Sequence, residues 1–155
     1  MKSSLHPYWI LGFIDGEGCF RASLIKNKTM RFKYQIQPEF VVTQHKRDVL
    51  LLKEMQAYFK NIGEVKAAKG KEDKTANCYR FRVRKLSSLT TVIIPFFEKY
   101  PLKTKKNEEF LRFKELCFLL EKKVHLQSVE QFNYCYILAQ SIPYNIVLKL
   151  SRLKI

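Results

Sequence analysis

Acidic residues are scarce in this chain, and so are glycine, proline and cysteine. The 155 residues include 29 Lys or Arg but 14 Asp or Glu, which gives a formal net charge of +15. No apolar run approaches the roughly 18 residues that a membrane span needs. The four cysteines lie far apart without a Cys-x-x-Cys pair, which favours buried thiols in a reducing compartment over disulfides or zinc ligands. We therefore expect a soluble protein without a membrane partner.

The chain is rich in positive charge, and it also has enough apolar residues to fold. Hydrophobic residues make up 46% and aromatic residues 14% of the sequence, which is enough for a core and unlike a disordered basic tail. The length fits a single domain covering residues 1–155. A folded domain with this excess of cations is expected to bind a polyanion, and nucleic acid ranks ahead of a membrane because no basic amphipathic helix stands out.

The hydrophobic periodicity predicts an α+β fold with the order α-β-β-α-β-β-α, followed by further helices. The predicted helices cover residues 8–16, 48–61, 87 or 88 to 100 with a kink or break at Pro95, 108–122 and 128–142. The predicted strands cover residues 19–27, 31–44, 64–69 and 77–85, with a polar loop over 70–75. A helical stripe of Phe110, Phe113, Leu116 and Leu120 is expected to lie in the core.

Residues 10–18 contain three of the five glycines and two acids. A glycine inside a helix costs about 1 kcal/mol relative to alanine, and Gly12 and Gly16 share one helix face, so a second backbone packed there would explain both. Asp15 and Glu17 lie near the negative end of the helix dipole. A bound Mg²⁺ or Ca²⁺ would resolve that conflict, because these cations prefer carboxylate and carbonyl oxygens. The alternative that the glycines turn the chain and the acids face solvent stays open.

The segment Ile-Leu-Gly-Phe-Ile-Asp-Gly-Glu-Gly at 10–18 resembles the motif of the LAGLIDADG homing endonucleases. Residues 40–44 resemble the end of the family's second strand, residues 100–106 its lysine-rich connector, and residues 123–126 a tail common in organellar members. The resemblance spans residues 8–142. It implies the family's αββαββα fold with additional C-terminal helices, in which an antiparallel sheet binds double-stranded DNA.

The resemblance also implies roles for individual residues. Glu17 matches the metal-binding acid, Gly16 would lend its carbonyl oxygen to the metal, and Asp15 matches a residue that steadies a helix pair. Gln44 would lie near the attacking water, and Lys105 would offset charge at the scissile phosphate. The implied catalytic residues are therefore Glu17, Gln44 and Lys105, and the implied cofactor is Mg²⁺, with Ca²⁺ or Mn²⁺ as substitutes.

A single copy of the motif implies a homodimer with Gly12, Asp15 and Gly16 at its interface. Two-fold symmetry then implies a near-palindromic DNA site, of which each subunit reads one half. The resemblance implies that this site is long and that both of its strands are hydrolysed to leave short 3′ overhangs. Strand faces rich in Arg, Lys and Gln suit base edges in the major groove, although an ordinary solvated sheet face is the alternative. The residues expected to contact DNA are Arg21, Ser23, Arg31, Lys33, Gln35, Gln37, Lys66, Arg80, Arg82 and Arg84.

Two other functions stay open on the same scaffold: an RNA maturase whose partner is its own intron, and a DNA-binding regulator that no longer cleaves. Glu17 argues against the regulator, because degenerate members often lack that acid, and it does not bear on the maturase. Many Lys, Phe, Ile and Tyr residues with one Trp indicate AT-rich coding. This composition favours a gene in a mitochondrion or chloroplast, and no targeting signal is recognised in the chain.

Overall fold

The structure is a computed structural model, and it describes residues 2–68 and 77–142. Its strands are β1 (Gly18–Lys26), β2 (Tyr34–His45), β3 (Glu64–Ala67) and β4 (Cys78–Val83). Its helices are α1 (Pro7–Glu17), α2 (Val49–Tyr58), α3 (Leu86–Ser88), α4 (Ile94–Lys99), α5 (Lys106–Glu121) and α6 (Val129–Ser141). The strands form one sheet in the order β1-β2-β4-β3, and β4 pairs antiparallel with both β2 and β3. The predicted α+β fold is confirmed.

Helix α1 begins at a proline and ends against a glycine. The Nδ1 atom of His6 accepts the main-chain N–H of Tyr8, and Pro7 occupies a first-turn position where its missing N–H costs nothing. At the other end the N–H of Gly18 donates to the carbonyl of Ile14. A Cβ atom at Gly18 would lie 2.5 Å from Cγ2 of Ile14, so the turn from α1 into β1 requires glycine.

The predicted start of the second strand at residue 31 is wrong, because β2 begins at Tyr34. Lys33 has a positive φ of 64°, which a regular strand does not allow. The N–H of Lys33 donates to the carbonyl of Met30, and the N–H of Asn27 donates to the carbonyl of Lys33. Turn hydrogen bonds therefore replace the sheet ladder over these residues.

The second helix also ends earlier than predicted, at Tyr58 rather than residue 61. Lys60 and Asn61 both have φ 57°, and Gly63 has φ 68°. Three left-handed residues so close together end a helix and turn the chain into β3. Of the predicted third strand, Lys69 and the loop over residues 70–75 lie outside the described residues.

The helical segment before the connector begins at Leu86, whereas Ser87 or Ser88 was expected to cap its start. That expectation is wrong, because Lys85 is the N-cap residue and no side chain caps this end. A π-helical segment, Leu89–Ile93, joins α3 to α4, with Pro95 in the first turn of α4. Proline donates no N–H, and a π segment is one way for a helix to absorb that loss. The predicted irregularity is therefore a π segment just before the proline. The last predicted helix begins at Ser128, and that residue caps α6 in the structure, because its side chain accepts the N–H of Gln131.

Two compact units divide the chain. The first contains Glu39–Thr104 together with the residues up to Cys19, and the second contains Phe20–Pro38 together with the residues from Lys105 onward. The single domain over residues 1–155 stays a prediction. In the second unit the predicted core stripe is confirmed, because all four of its side chains are buried: Phe110, Phe113, Leu116 and Leu120.

The four cysteines are free, but only part of the expectation of buried thiols holds. Cys117 and Cys135 are buried, whereas Cys19 and Cys78 are half-buried. Burial raises the pKa of the Cys117 thiol above its usual range, which makes that residue an unreactive part of the core. Within residues 2–68 and 77–142, no helix is both long enough and apolar enough to span a bilayer.

Aromatic packing around Phe40 forms the core of the first unit. The ring centroid of Phe40 lies 6.4 Å from that of Phe59, 6.2 Å from that of Phe81 and 5.9 Å from that of Phe97. All four side chains are almost fully buried. Strand β2 contributes Phe40, and the other three rings come from α4, β4 and the residue after α2. This cluster fixes those elements against one another within the unit.

Replacing Phe40 by alanine should lower the free energy of unfolding by about 3–5 kcal/mol, because a large cavity opens among three rings. Chemical denaturation of the purified protein measures the change. Leu50→Ala is the control, since Leu50 is 67% exposed and its truncation should change stability by less than about 0.5 kcal/mol. Equal effects of the two substitutions would contradict this description of the core.

Candidate functional site

Asp15 connects the end of α1 to the segment that precedes α5. Its Oδ2 atom accepts the main-chain N–H groups of Lys103 at 2.9 Å and Thr104 at 3.3 Å, and its Oδ1 atom accepts the Thr104 hydroxyl. Lys105 is the next residue and the N-cap of α5. The carboxylate of Asp15 therefore fixes the main chain immediately before the lysine predicted to be catalytic. No sequence signal predicts this contact, because its partners are separated by 88 and 89 residues.

Glu17 is the last residue of α1 and its side chain is exposed. Its carboxylate forms no hydrogen bond or ion pair with the residues that the structure describes. An uncompensated acid at the negative end of a helix is unfavourable unless a cation lies nearby. Carboxylate and main-chain carbonyl oxygens at this end match the ligands that Mg²⁺ prefers. The site therefore fits a divalent cation chemically.

Protein side chains alone do not complete a metal site here. Across residues 2–68 and 77–142, no group of three or more His, Cys, Asp or Glu side chains is arranged to hold a metal ion. A cation at Glu17 would need further oxygen ligands, which main-chain carbonyls, water or a phosphate group supply. Such a site would leave positions open for water or for an oxygen of a phosphate group.

The two glycines of α1 form an open, exposed face. A Cβ atom at Gly12 or at Gly16 would meet no other atom within 4 Å, so no contact described within the chain requires glycine at either position. Tyr8 and Trp9 of the same helix are 65% and 45% exposed, and the Trp9 ring stacks on Phe13 with centroids 5.0 Å apart. The helix-propensity cost of the glycines is therefore uncompensated in the described part of the chain.

Gln44 lies one residue before the end of β2 and is half-buried. Its register partner on β4 is Tyr79, whereas the neighbouring Thr43 pairs with Arg80. Because side chains alternate along a strand, Gln44 and Arg80 point to opposite faces of the sheet. Gln44, which is predicted to lie near the attacking water, and Arg80, which is predicted to contact DNA, are thus on different faces of the sheet.

The outward residues of β3 and β4 form a charged face in the first unit. Lys66, Arg80, Arg82 and Arg84 were predicted to contact DNA, and the structure adds Glu64 to them. Glu64 and Arg82 are register partners, as are Lys66 and Arg80. Hydrogen bonds from Lys66 and from Arg82 lower the pKa of Glu64 to about 2, so this carboxylate is ionised at neutral pH. The alternation of positions 64 and 66 along the strand was the signal that could have placed Glu64 on this face.

In the second unit the Arg31 side chain is hydrogen-bonded to main-chain carbonyls of the same chain. Its Nη1 atom donates to the carbonyl of Leu126 at 2.5 Å and to that of Gln127 at 3.2 Å. The guanidinium carbon also lies 5.2 Å from the centroid of the Phe32 ring. Arg31 therefore connects the β1–β2 turn to the segment before α6. Its contact with DNA stays a prediction.

Several other residues predicted to contact DNA make local hydrogen bonds. The Nζ atom of Lys33 donates to the carbonyl of Lys28 at 3.2 Å, and the side chains of Gln35 and Gln37 are 3.4 Å apart. Ser23 is exposed and Arg21 is half-buried. Each of these groups is polar and accessible, and their roles in binding remain untested.

Comparison with known proteins identifies the family. The family model described as LAGLIDADG endonuclease matches residues 10–117, a range that begins at the glycine-containing helix. The chain belongs to the LAGLIDADG endonuclease family, as its resemblance indicated.

Curated relatives carry related names but are longer. The probable intron-encoded endonuclease 2 of Neurospora crassa is 33% identical over 123 residues, which are 79% of this chain and 26% of that protein. The DNA endonuclease I-CeuI of Chlamydomonas moewusii is 30% identical over 126 residues, or 79% of this chain and 55% of that protein. The chain thus spans about a quarter of the length of the Neurospora relative.

Solved structures show the same fold. The homing endonuclease I-TnaI is 34% identical with a TM-score of 0.82, and the match covers 99% of this chain and 100% of that one. I-SmaMI bound to uncleaved DNA in the presence of calcium ions is 31% identical, also with a TM-score of 0.82. That match covers 91% of this chain but 46% of the I-SmaMI chain.

Replacing Asp15 by asparagine should release the connector, because the amide NH₂ group cannot accept the hydrogen bonds that one carboxylate oxygen now accepts. Hydrogen bonds to a charged acceptor contribute about 1.5–3 kcal/mol, so amide exchange at Lys103 and Thr104 should accelerate by at least about tenfold. Hydrogen-exchange NMR measures this. Asp48→Asn is the matched control, since Asp48 pairs with Arg47 in an exposed contact of 3.5 Å. Unchanged exchange at both amides in the Asp15 variant would contradict the assignment.

Proposed function

We propose that the protein is a site-specific homing endonuclease that binds double-stranded DNA as a homodimer and hydrolyses both strands with a divalent metal, Mg²⁺ by preference. The observation that carries the proposal is the exposed Glu17 carboxylate at the end of a helix whose glycine face is open. Membership of the LAGLIDADG endonuclease family supports it. Relatives named as endonucleases, among them one bound to DNA, support it further.

The open face of α1 supports the proposed homodimer. If two copies of α1 pack across a two-fold axis, Gly12 and Gly16 allow their backbones to approach closely, and the two Glu17 side chains come side by side. The fold corresponds to 46% of the DNA-bound I-SmaMI chain, which supports a functional unit of two such folds. Two equivalent halves would read a near-palindromic site, and cleavage of both strands would leave short 3′ overhangs.

The chemistry proposed for the site uses few groups. Glu17 and the Gly16 carbonyl would hold the metal. When bound, it would neutralise the phosphate and promote attack by water. Gln44 would orient that water, and the Lys105 ammonium would offset charge at the phosphate. Asp15 contributes by fixing the main chain before Lys105, because a positioned cation stabilises developing charge at less cost than a mobile one.

DNA binding is proposed for the polar residues of the sheet. Lys66, Arg80, Arg82 and Arg84 present donors that match guanine edges and phosphates. The residues proposed for the second unit are Arg21, Ser23, Arg31, Lys33, Gln35 and Gln37. The formal charge of +15 predicts binding that weakens steeply as salt concentration rises.

Cleavage is preferred over a purely binding role because the exposed acid Glu17 has no structural partner among the described residues. A DNA-binding regulator would have no need of such a residue. Intron RNA as a partner, with a maturase role, stays a prediction. We also propose that the gene lies in an organellar intron. Two relatives support this: the intron-encoded endonuclease of Neurospora crassa and a protein from ND4 intron 1 of Podospora anserina.

Replacing Glu17 by glutamine should abolish cleavage and leave DNA binding intact, because the amide keeps the size of the side chain but loses the charge that holds a cation. The substrate is a duplex selected from a randomised library by the unmodified protein in Mg²⁺. Cleavage is followed on gels, and binding in Ca²⁺ by fluorescence anisotropy. Glu54→Gln, which alters the net charge equally, is the control and should cleave normally. Undiminished cutting by the Glu17 variant would end the proposed metal site.

Replacing both Gly12 and Gly16 by alanine should weaken the dimer while stabilising the single chain. Both added Cβ atoms enter open space in one chain, and alanine favours a helix over glycine by about 1 kcal/mol per position. Analytical ultracentrifugation should show a shift toward monomer, and thermal unfolding should show no loss of stability.

Gly18→Ala is the control for the glycine face, because its Cβ would collide with Ile14. It should destabilise the fold without acting specifically on association. If the Gly12 and Gly16 variant dimerises as strongly as the unmodified protein, this face is not the interface.

A further inference from the structure

Glu64 is a carboxylate embedded among the cations of the charged face on β3 and β4. Its Oε1 atom lies 2.6 Å from Nη2 of Arg82 and 3.8 Å from Nη2 of Arg84, and its Oε2 atom lies 2.5 Å from Nζ of Lys66. Both of its oxygens are therefore engaged by cations. A strand face that has to attract DNA gains nothing in affinity from a negative charge, so the presence of Glu64 requires another explanation.

The contact with Arg82 is the more enclosed of the pairs. The side chains of Glu64 and Arg82 are each 28% exposed, whereas that of Lys66 is 70% exposed and that of Arg84 is 48% exposed. Glu64 and Arg82 also lie directly opposite each other on neighbouring antiparallel strands. The strand register and the ion pair thus act together to restrict the orientation of the Arg82 guanidinium.

With respect to the described residues, Arg82 keeps donors free for a further ligand. A guanidinium carries five N–H groups in a planar fork, and the bond to Glu64 engages one nitrogen, Nη2. Two hollows border the pair in the described part of the chain: one is lined by Glu64, Lys66, Ala67, Ala68, Arg80 and Arg82, and the other by Gly63, Glu64, Arg82, Arg84 and Lys85. A base edge can therefore approach Arg82 while Glu64 holds it.

We infer that Glu64 is a specificity-determining positioning residue for DNA recognition. Its carboxylate orients Arg82 toward base edges and withholds Arg82 and Lys66 from indiscriminate phosphate contacts. The inference rests on the proposed function, because it assumes that this face binds DNA. Glu64 thus lowers the total affinity for DNA and increases the preference for one DNA sequence over another.

The role has a measurable electrostatic consequence. Two cations paired with one carboxylate release fewer counterions from DNA than two unpaired cations do. Each additional phosphate neutralised steepens the dependence of log K on log salt by about 0.9. Without Glu64, Lys66 and Arg82 become free to contact phosphates of any sequence. The affinity for DNA of arbitrary sequence should then rise, whereas the affinity for the correct site should not rise with it.

The experiment compares the unmodified protein with Glu64→Gln on two duplexes over a range of KCl concentrations, in Ca²⁺. One duplex has a random sequence, and the other is selected from a randomised library by the unmodified protein. We expect the variant to bind the random duplex more tightly, with a salt slope steeper by about 1–2. Its preference for the selected duplex should fall about tenfold, the discrimination that one good arginine–base contact provides.

Two further variants separate positioning from charge and from folding. Glu54→Gln changes the net charge equally but removes a carboxylate that bonds to Ser4, so its salt slope and sequence preference should match those of the unmodified protein. In Glu64→Gln/Arg82→Gln, the loss of sequence preference should be no larger than in Arg82→Gln alone, because Glu64 acts through Arg82. A role confined to stability would instead lower the affinities for both duplexes together and leave the preference between them unchanged.

The inference is overturned if Glu64→Gln shows the sequence preference and the salt slope of the unmodified protein, or if Glu54→Gln reproduces its effects. Failure of the proposed function gives a different result, since the unmodified protein would then select no duplex at all and the inference would fall with it. If the unmodified protein selects and cleaves a duplex, and Glu64→Gln prefers that duplex over the random one as strongly as the unmodified protein does, then the inference is refuted while the proposed function stands.

Discussion

Helix α1 carries two glycines and an acid for which the described part of the chain gives no reason, and the proposed activity depends on what does. The glycines reduce the stability of the helix, although a Cβ atom at Gly12 or at Gly16 would meet no described atom within 4 Å. Glu17, an acid without a partner among residues 2–68 and 77–142, follows at the end where the helix dipole is negative. Close packing of a second helix accounts for the glycines, and a cation accounts for the acid. Both needs are met at once if two copies meet along α1 over a phosphate backbone.

Asp15 gives that helix end a second task. The Asp15 carboxylate fixes the main chain of Lys103 and Thr104 to α1. The helix that ends at Glu17 therefore also holds the segment that leads to Lys105. A substitution at Asp15 would disturb the proposed chemistry without removing any group that touches the phosphate. Asp15 and Glu17 lie two positions apart in the motif and have different physical roles: Asp15 fixes the main chain, and Glu17 is proposed to hold a cation.

Much of the fold followed from periodicity, and the failures have local causes. The buried stripe of α5 and the Ser128 cap of α6 were predictable because each depends on residues three or four positions apart. The start of β2 was not predictable, because Lys33 adopts a left-handed conformation, and the presence of a lysine does not indicate that conformation in a sequence. The π segment before Pro95 is similarly a compromise between a missing N–H and continued packing, and periodicity alone does not decide it.

The site residues that lie within the motif could be predicted from the sequence, whereas the contacts between separate segments of the chain could not. Gly12, Gly16 and Glu17 could be selected from nine consecutive residues. The Asp15 contact with the connector joins residues that lie 88 and 89 positions apart. The grouping of Glu64 with Arg82 depends on the register between β3 and β4, which the sequence does not specify. The expected DNA-contacting arginines therefore appeared as equivalent from the sequence, whereas the structure distinguishes Arg31, engaged by main-chain carbonyls, from Arg82, held by a carboxylate.

The central claim is that paired α1 helices hold divalent ions at Glu17 over DNA, and anomalous diffraction tests it most directly. Crystals of the protein with its selected duplex, grown with Mn²⁺, should show an anomalous peak within coordination distance of the Glu17 carboxylate in each of two copies related by two-fold symmetry. A structure in which both Glu17 side chains face bulk solvent, without a manganese peak and apart from each other, would contradict the account.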